Sequence, residues 1–161
     1  MPDIQVRDLT PQPAAAIRAT QPMSELDMAA LFGEHMANLA HRLADLGIQP
    51  AGPPYARYHE FGPERAVVEI GVPVSTPVPN VPALMEAEVG ELGSAELPGG
   101  RVAILVHRGP YAGLPGAYAA IEAWAHESGE SLGGPMWESY VDDPSEVAEA
   151  DLRTEVIWPL G

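Results

Sequence analysis

The chain has 161 residues, of which 23 are acidic and 8 are arginine, and its formal net charge is −15. Phosphate backbones are bound by clustered basic side chains, so this charge argues against nucleic acid as a partner. The absence of cysteine excludes disulfides, thiolate catalysis and cysteine-based zinc sites, and the absence of lysine excludes Schiff-base chemistry.

The length fits one domain, residues 1–161, and the hydropathy pattern is that of a globular protein. No apolar run approaches the roughly 20 residues that a membrane span requires. The N-terminus lacks the basic and apolar pattern of a signal peptide. We therefore expect a cytoplasmic protein that has no membrane partner.

The first half of the chain predicts two strands, a helix and two further strands. Residues 4–8 and 14–19 are β-type runs separated by a proline-rich turn, which is typical of a hairpin. Apolar residues then recur at spacings of three and four from Leu26 to Leu46, and this pattern indicates an amphipathic helix. Ser24 with Asp27 fits its N-terminal cap, and Gly47 fits its end.

The second half repeats this order. Residues 89–92 and 101–107 are β-type runs on either side of a turn at residues 98–100, and they predict a second hairpin. A helix follows, with Pro115 in its first turn and Gly129 at its end. Residues 134–140 then align with residues 52–58, and the closing strand at 155–160 aligns with 69–74. The sequence thus predicts internal repeats at about 1–74 and 87–161, with residues 75–86 as connector.

These repeats predict an α+β fold. Each repeat would be a strand–strand–helix–strand–strand unit in an antiparallel sheet, with the helices on one face of the sheet. Duplicated halves generally meet near a pseudo-two-fold axis, and we expect a ligand pocket there.

One strand of the second repeat combines acidic and aromatic side chains. Because strand side chains alternate between faces, Met136, Glu138 and Tyr140 share one face. The aligned strand offers Ala56 and Tyr58, so only the second repeat places an acid there. A carboxylate among aromatic rings favours an organic cation. The alternative is that Glu138 is a solvated residue on an exposed sheet face.

Several segments together resemble the GyrI-like family, the effector-binding domain also present in some AraC-type and multidrug-responsive MerR-type regulators. They are His107-Arg108-Gly109-Pro110-Tyr111, the aromatic helix that follows, and residues 134–140, 143–144 and 154–159. The resemblance covers nearly the whole chain and is most specific over residues 101–160. It implies two strand–helix–strand–strand units around a hydrophobic pocket, with Glu138 at the floor, Tyr111 and Tyr140 lining it, and cationic aromatic ligands.

Three functions are compatible with this resemblance. The first is binding of a lipophilic, cationic small molecule, with Glu138, Tyr140, Tyr111, Tyr58, Met136 and Ala56 as binding residues. The second is hydrolysis of electrophilic, cyclopropane-bearing genotoxic natural products, with Glu138 and Tyr111 as catalytic residues. The third is a gyrase-inhibitor-like module whose acidic residues 138–155 bind a protein partner.

Other motifs carry less information. The first predicted helix begins near residue 24, which leaves no room for a preceding helix-turn-helix, so we expect a stand-alone module. The five histidines lack metal-ligand spacing, and we expect neither a metal nor a cofactor. Residues 129–133 match G-x-S-x-G, but a helix precedes them where a nucleophile elbow needs a strand.

Overall fold

The computed structural model describes residues 3–161, which belong to two compact units. One unit is the continuous segment 11–98, and the other joins the N-terminal residues up to Thr10 to residues 99–161. We call them the continuous unit and the joined unit. The helices and strands in chain order are β1 (Ile4–Leu9), β2 (Gln12–Pro22), α1 (Met28–Leu46), β3 (Tyr55–Phe61), β4 (Arg65–Pro73), β5 (Leu92–Leu97), β6 (Gly100–Arg108), α2 (Leu114–Ser128), β7 (Trp137–Tyr140) and β8 (Arg153–Pro159).

Each unit contains one helix and four antiparallel strands. In the continuous unit the strand order is β3-β4-β2-β5, and in the joined unit it is β7-β8-β6-β1. The segments β2-α1-β3-β4 and β6-α2-β7-β8 hold equivalent places in these two sheets. The predicted α+β class and the duplicated strand–helix–strand–strand unit are confirmed.

The pairing of the remaining strands corrects the sequence analysis. We expected β1 to form a hairpin with β2, but β1 pairs with β6, and Ile4 lies opposite Leu105. The second expected hairpin is also wrong, because β5 pairs with β2, where Gln12 lies opposite Leu97. The first strand of each sequence repeat therefore lies in the sheet that the other repeat mainly forms: β1 in the joined unit and β5 in the continuous unit. A turn signal alone could not reveal this, because strand pairing depends on the neighbours available in the folded sheet.

The helix ends are set by local chemistry. The side chain of Asp27 accepts a hydrogen bond of 3.1 Å from the Ala30 amide, so α1 begins at Met28, slightly later than predicted. Gly47 and Gly129 end the two helices in the left-handed conformation, with φ of 69° and 70°, as predicted. Pro115 lies in the first turn of α2, also as predicted.

Each helix covers one face of the sheet in its own unit. In the continuous unit, Leu39 and Leu43 of α1 pack against a cluster from the sheet and the following segment. That cluster contains Ala15, Ile17, Val72, Val74, Val78 and Leu92. In the joined unit, Leu114, Ala117 and Ile121 of α2 pack against Ala103, Leu105 and Val156. No helix within residues 3–161 is long and apolar enough to cross a membrane.

The predicted connector is attached to the continuous unit. Val78 and Leu84 are buried. The Arg18 guanidinium donates a hydrogen bond of 2.7 Å to the carbonyl of Ala87, just beyond the connector. The Ser94 amide likewise donates to the carbonyl of Pro82, at 2.8 Å. The strand that follows starts at Leu92, where the sequence had suggested a strand over residues 89–92.

Candidate ligand-binding site

Two rows of side chains cross the joined unit on the face that α2 covers. The strand register places Leu105, Val156 and Glu138 in one row, and His107, Thr154 and Tyr140 in the next. Leu105 and Val156 belong to the cluster under α2, which identifies this face of the sheet. Glu138 and Tyr140 therefore share a face, as strand alternation predicts.

Glu138 is a buried carboxylate. Its side chain is only 2% exposed, so the alternative that it is solvated on an open sheet face is wrong. The Tyr140 hydroxyl donates a hydrogen bond of 2.6 Å to Glu138 Oε1. Burying a carboxylate is costly unless hydrogen bonds or opposite charge compensate, and this hydroxyl supplies part of that compensation.

Tyr111 lies beside Tyr140, on the side nearer to solvent. It lies in a short 3-10 turn before α2, and its ring meets the Tyr140 ring edge to face, with 5.7 Å between centroids. The side chain is 39% exposed, so one side of it faces solvent. Partial burial, followed by the charges of Asp143, Asp142 and Glu138, raises the pKa of Tyr111, so its hydroxyl stays protonated at neutral pH.

Two further carboxylates lie in the loop after β7. Asp142 accepts hydrogen bonds of 2.9 and 3.0 Å from Nε and Nη2 of Arg153, and the hydrogen bond to Arg153 lowers the pKa of Asp142. Asp143 accepts hydrogen bonds from the amide and hydroxyl of Ser145, which lower the pKa of Asp143. Both carboxylates are therefore ionised at neutral pH, near the Tyr111 hydroxyl.

Sequence reasoning missed one residue of this face, and it named Met136 as a binding residue, which stays a prediction. Thr154 is 0% exposed, and within residues 3–161 its Oγ1 has no hydrogen-bond partner. Its place between His107 and Tyr140 could be read only once the strand order was known. Met136, which was predicted, is partly buried against the apolar cluster under α2.

The other two predicted binding residues belong to β3 of the continuous unit. Ala56 is buried opposite Ile70, and Tyr58 lies opposite Val68. The Tyr58 ring contacts the Phe61 ring, with 5.6 Å between centroids. Their part in a ligand site stays a prediction.

The continuous unit contains a second buried carboxylate, Glu69, which was not among the predicted binding residues. Glu69 is 2% exposed, accepts a hydrogen bond from the Tyr55 hydroxyl, and lies 2.8 Å from Nε2 of His59. Arg57 Nη1 is 3.8 Å from the same carboxylate. Burial, and then Glu69, raise the pKa of Tyr55 well above its usual value. Glu155, at the matching repeat position, is only partly buried, so the two acids differ in setting.

The strand register separates the Glu69 cluster from the face under α1. Ile70 lies opposite Ile17, which packs against α1, so Glu69 points to the other face of the sheet. Within residues 3–161, no group of three or more His, Asp and Glu side chains could hold a metal ion.

The family model of the GyrI-like small molecule binding domain matches residues 2–160. The chain belongs to this family.

Several solved structures share the fold of this chain. The C-terminal domain of EcmrR has a TM-score of 0.82 and 18% identity, over 100% of this chain and 98% of that chain. SAV2435 bound to tetraphenylphosphonium has a TM-score of 0.60 and 13% identity, over 99% and 94%. A hydrolase encoded by lin2189 from Listeria innocua has a TM-score of 0.64 and 9% identity, over 99% and 92%. At these identities the likeness establishes the fold.

Proposed function

We propose that this GyrI-like domain binds lipophilic aromatic cations at the face formed by Glu138, Tyr140 and Tyr111. The observation that carries the proposal is a carboxylate, 2% exposed, that accepts a hydrogen bond from Tyr140, whose ring contacts that of Tyr111. In this assignment Glu138 attracts the positive charge, Tyr140 orients the carboxylate, and Tyr111 and Met136 contact the apolar part of the ligand.

Electrostatics favours a cation over a neutral ligand at this face. Two opposite charges about 4 Å apart attract by about 4 kcal/mol at an effective dielectric constant of 20. Glu138 is already removed from water by folding, so ligand binding adds little desolvation cost on the protein side. Each aromatic face adds about 0.5–2 kcal/mol for a nearby cation.

The surroundings of Tyr111 support the same ligand class. After partial burial, the charges of Asp143, Asp142 and Glu138 raise the pKa of Tyr111, so three nearby carboxylates favour a cation beside its ring. Among proteins of the same fold, SAV2435 has been solved with tetraphenylphosphonium, a lipophilic aromatic cation. Tetraphenylphosphonium is therefore the first ligand to test.

Calorimetric titration of tetraphenylphosphonium into wild-type protein and Glu138→Gln tests the proposal. The substitution removes the charge at nearly constant volume, and we expect it to weaken binding by about 10- to 100-fold. Glu127→Gln is the matched control, because it removes the same charge from an exposed residue in the last turn of α2. Equal affinities for wild type and Glu138→Gln, in protein with unchanged circular dichroism, would refute binding at Glu138.

One observation favours hydrolysis as a second candidate function. The hydrogen bond between Tyr140 and Glu138 places a carboxylate base beside a phenol, and Tyr111 adds a protonated hydroxyl. Glu138 would take a proton from water as the water oxygen bonds to a carbon of a strained cyclopropane ring. The ring C–C bond would break in the same step as the C–O bond forms, and its electron pair would take up the proton of the Tyr111 hydroxyl. Protonated Glu138 would then return its proton to Tyr111 through solvent.

Mass spectrometry tests hydrolysis directly. Incubation with a cyclopropane-bearing alkylating compound should give a product heavier by one water, with wild type but not with Glu138→Gln or Tyr111→Phe. The lin2189 protein supports this candidate, since it is described as a hydrolase and shares the fold. Product formation at the same rate with and without protein excludes it.

A further inference from the structure

We propose that His107 and Gly113 are positioning residues that hold Tyr111 in place for the ligand. The proposal rests on the proposed function and extends it to two residues outside the set Glu138, Tyr140 and Tyr111. His107 lies near the end of β6, before the turn that carries Tyr111. Gly113 is the last residue of that turn and immediately precedes α2.

His107 bridges the start of the turn. Its Nε2 lies 2.9 Å from the carbonyl oxygen of Pro110, the residue before Tyr111. Because a carbonyl oxygen only accepts hydrogen bonds, Nε2 must carry the proton and donate it. His107 also shares a sheet row with Thr154 and Tyr140, so one strand register fixes both the histidine and the tyrosine that Tyr111 contacts.

Gly113 packs against the imidazole ring of His107. A Cβ at position 113 would lie 2.7 Å from Cε1 and 3.0 Å from Nε2 of His107, and its three nearest neighbours are all atoms of that ring. The backbone at Gly113 has φ of −84°, which any residue can adopt. The histidine ring, rather than backbone conformation, therefore explains the glycine.

The backbone of the turn is fixed at both ends. The Gly109 amide donates a hydrogen bond of 2.8 Å to the carbonyl of Leu152, and Gly109 has a φ of +116° that favours glycine. The Gly113 amide donates to the carbonyl of Pro110 at 3.0 Å. Tyr111 lies between these two hydrogen bonds. The packing of His107 on Gly113 therefore limits the positions that the Tyr111 ring can take. A preordered ring loses less entropy on ligand binding.

A double-mutant cycle tests the coupling. With His107 present, the methyl group of Gly113→Ala displaces the imidazole ring of His107. We then expect the Kd for tetraphenylphosphonium to rise about tenfold. In the His107→Ala background the new methyl group meets no ring, so Gly113→Ala should leave Kd unchanged. His107→Gln retains an N–H donor near the place of Nε2 and should bind more tightly than His107→Ala. Gly116→Ala is the matched control, because nothing lies within 4 Å of its added Cβ.

A ligand-free measurement separates this proposal from the proposed function. In tyrosine-labelled protein, the Tyr111 ring signals can be assigned by their loss in Tyr111→Phe. They should shift in Gly113→Ala and His107→Ala, because the ring current of Tyr140 changes with ring position, and should stay in place in Gly116→Ala. Unchanged Tyr111 signals, or additive effects of the two substitutions on Kd, would overturn the positioning role. Absence of tetraphenylphosphonium binding to wild type would instead refute the proposed function, and the ring signals would still decide the role of His107 and Gly113.

Discussion

Thr154 combines complete burial with an unused hydroxyl. It lies between His107 and Tyr140 in the sheet row, and its Oγ1 has no hydrogen-bond partner in residues 3–161. A buried polar group without a partner costs about 1–3 kcal/mol of stability. A binding face is one place where such a cost is retained, because the group is available to a ligand or to bound water.

Replacing this hydroxyl should stabilise the ligand-free protein. Thr154→Val keeps the shape and removes the unpaired group, and we expect the free energy of unfolding to rise by about 1 kcal/mol. Urea denaturation measures the difference, provided that both variants unfold with the same slope. Thr154→Ser keeps the hydroxyl but loses a buried methyl group, so it should be less stable than wild type. A less stable Thr154→Val would mean that the hydroxyl is paired in solution.

The sequence could predict part of the site because that part depends on neighbours along the chain. Alternation along one strand is enough to place Glu138 and Tyr140 on the same face. The burial of Glu138 was not determined by this pattern, because alternation along a strand does not show what covers each face. The Glu69 cluster was missed because Tyr55 and Glu69 lie on different strands.

The strands of the continuous unit approach closely where Tyr55 reaches Glu69. A Cβ at Gly71 would lie 2.6 Å from the Ala15 carbonyl oxygen and 2.8 Å from both the Ala16 Cβ and the Tyr55 hydroxyl. Two of these neighbours belong to the adjacent strand and cannot move without disturbing the sheet. The glycine thus permits β2 and β4 to pair beneath the tyrosine.

Two glycine substitutions should therefore have opposite effects on stability. Gly71→Ala should lower the free energy of unfolding by about 3 kcal/mol, because overpacking displaces backbone and the Tyr55 hydroxyl. Gly33→Ala, in the exposed part of α1 with nothing within 4 Å of its new Cβ, should raise it by about 1 kcal/mol. Thermal unfolding followed by circular dichroism compares the two. A neutral effect of Gly71→Ala would contradict the close approach of the strands.

The helices were predictable as elements because their signals are local. Apolar spacing and a terminal glycine mark both α1 and α2, while a capping acid marks α1 and a first-turn proline marks α2. Only the start of α1 differs by a few residues. The hairpins were not predictable, because β1 and β5 each pair with a strand far away in the sequence. The bulge between Tyr58 and Glu60, which shifts the register of β3 on β4, also leaves no clear sequence signal.

At the scale of the whole molecule, the net charge favours the ligand class proposed above. The net charge of −15 attracts cations at long range, and salt screens this attraction. The buried Glu138 acts at short range, and its attraction is screened much less. The general charge should therefore affect the rate of association, and Glu138 the choice among ligands of similar shape.

Comparison of a cation with a neutral analogue tests this central claim most directly. Tetraphenylphosphonium and uncharged triphenylphosphine oxide are titrated into wild type and Glu138→Gln at one ionic strength. Wild type should prefer the cation, and Glu138→Gln should reduce that preference by at least about tenfold, with little change for the neutral ligand. Equal losses for both ligands, or an unchanged preference, would show that Glu138 does not recognise the positive charge.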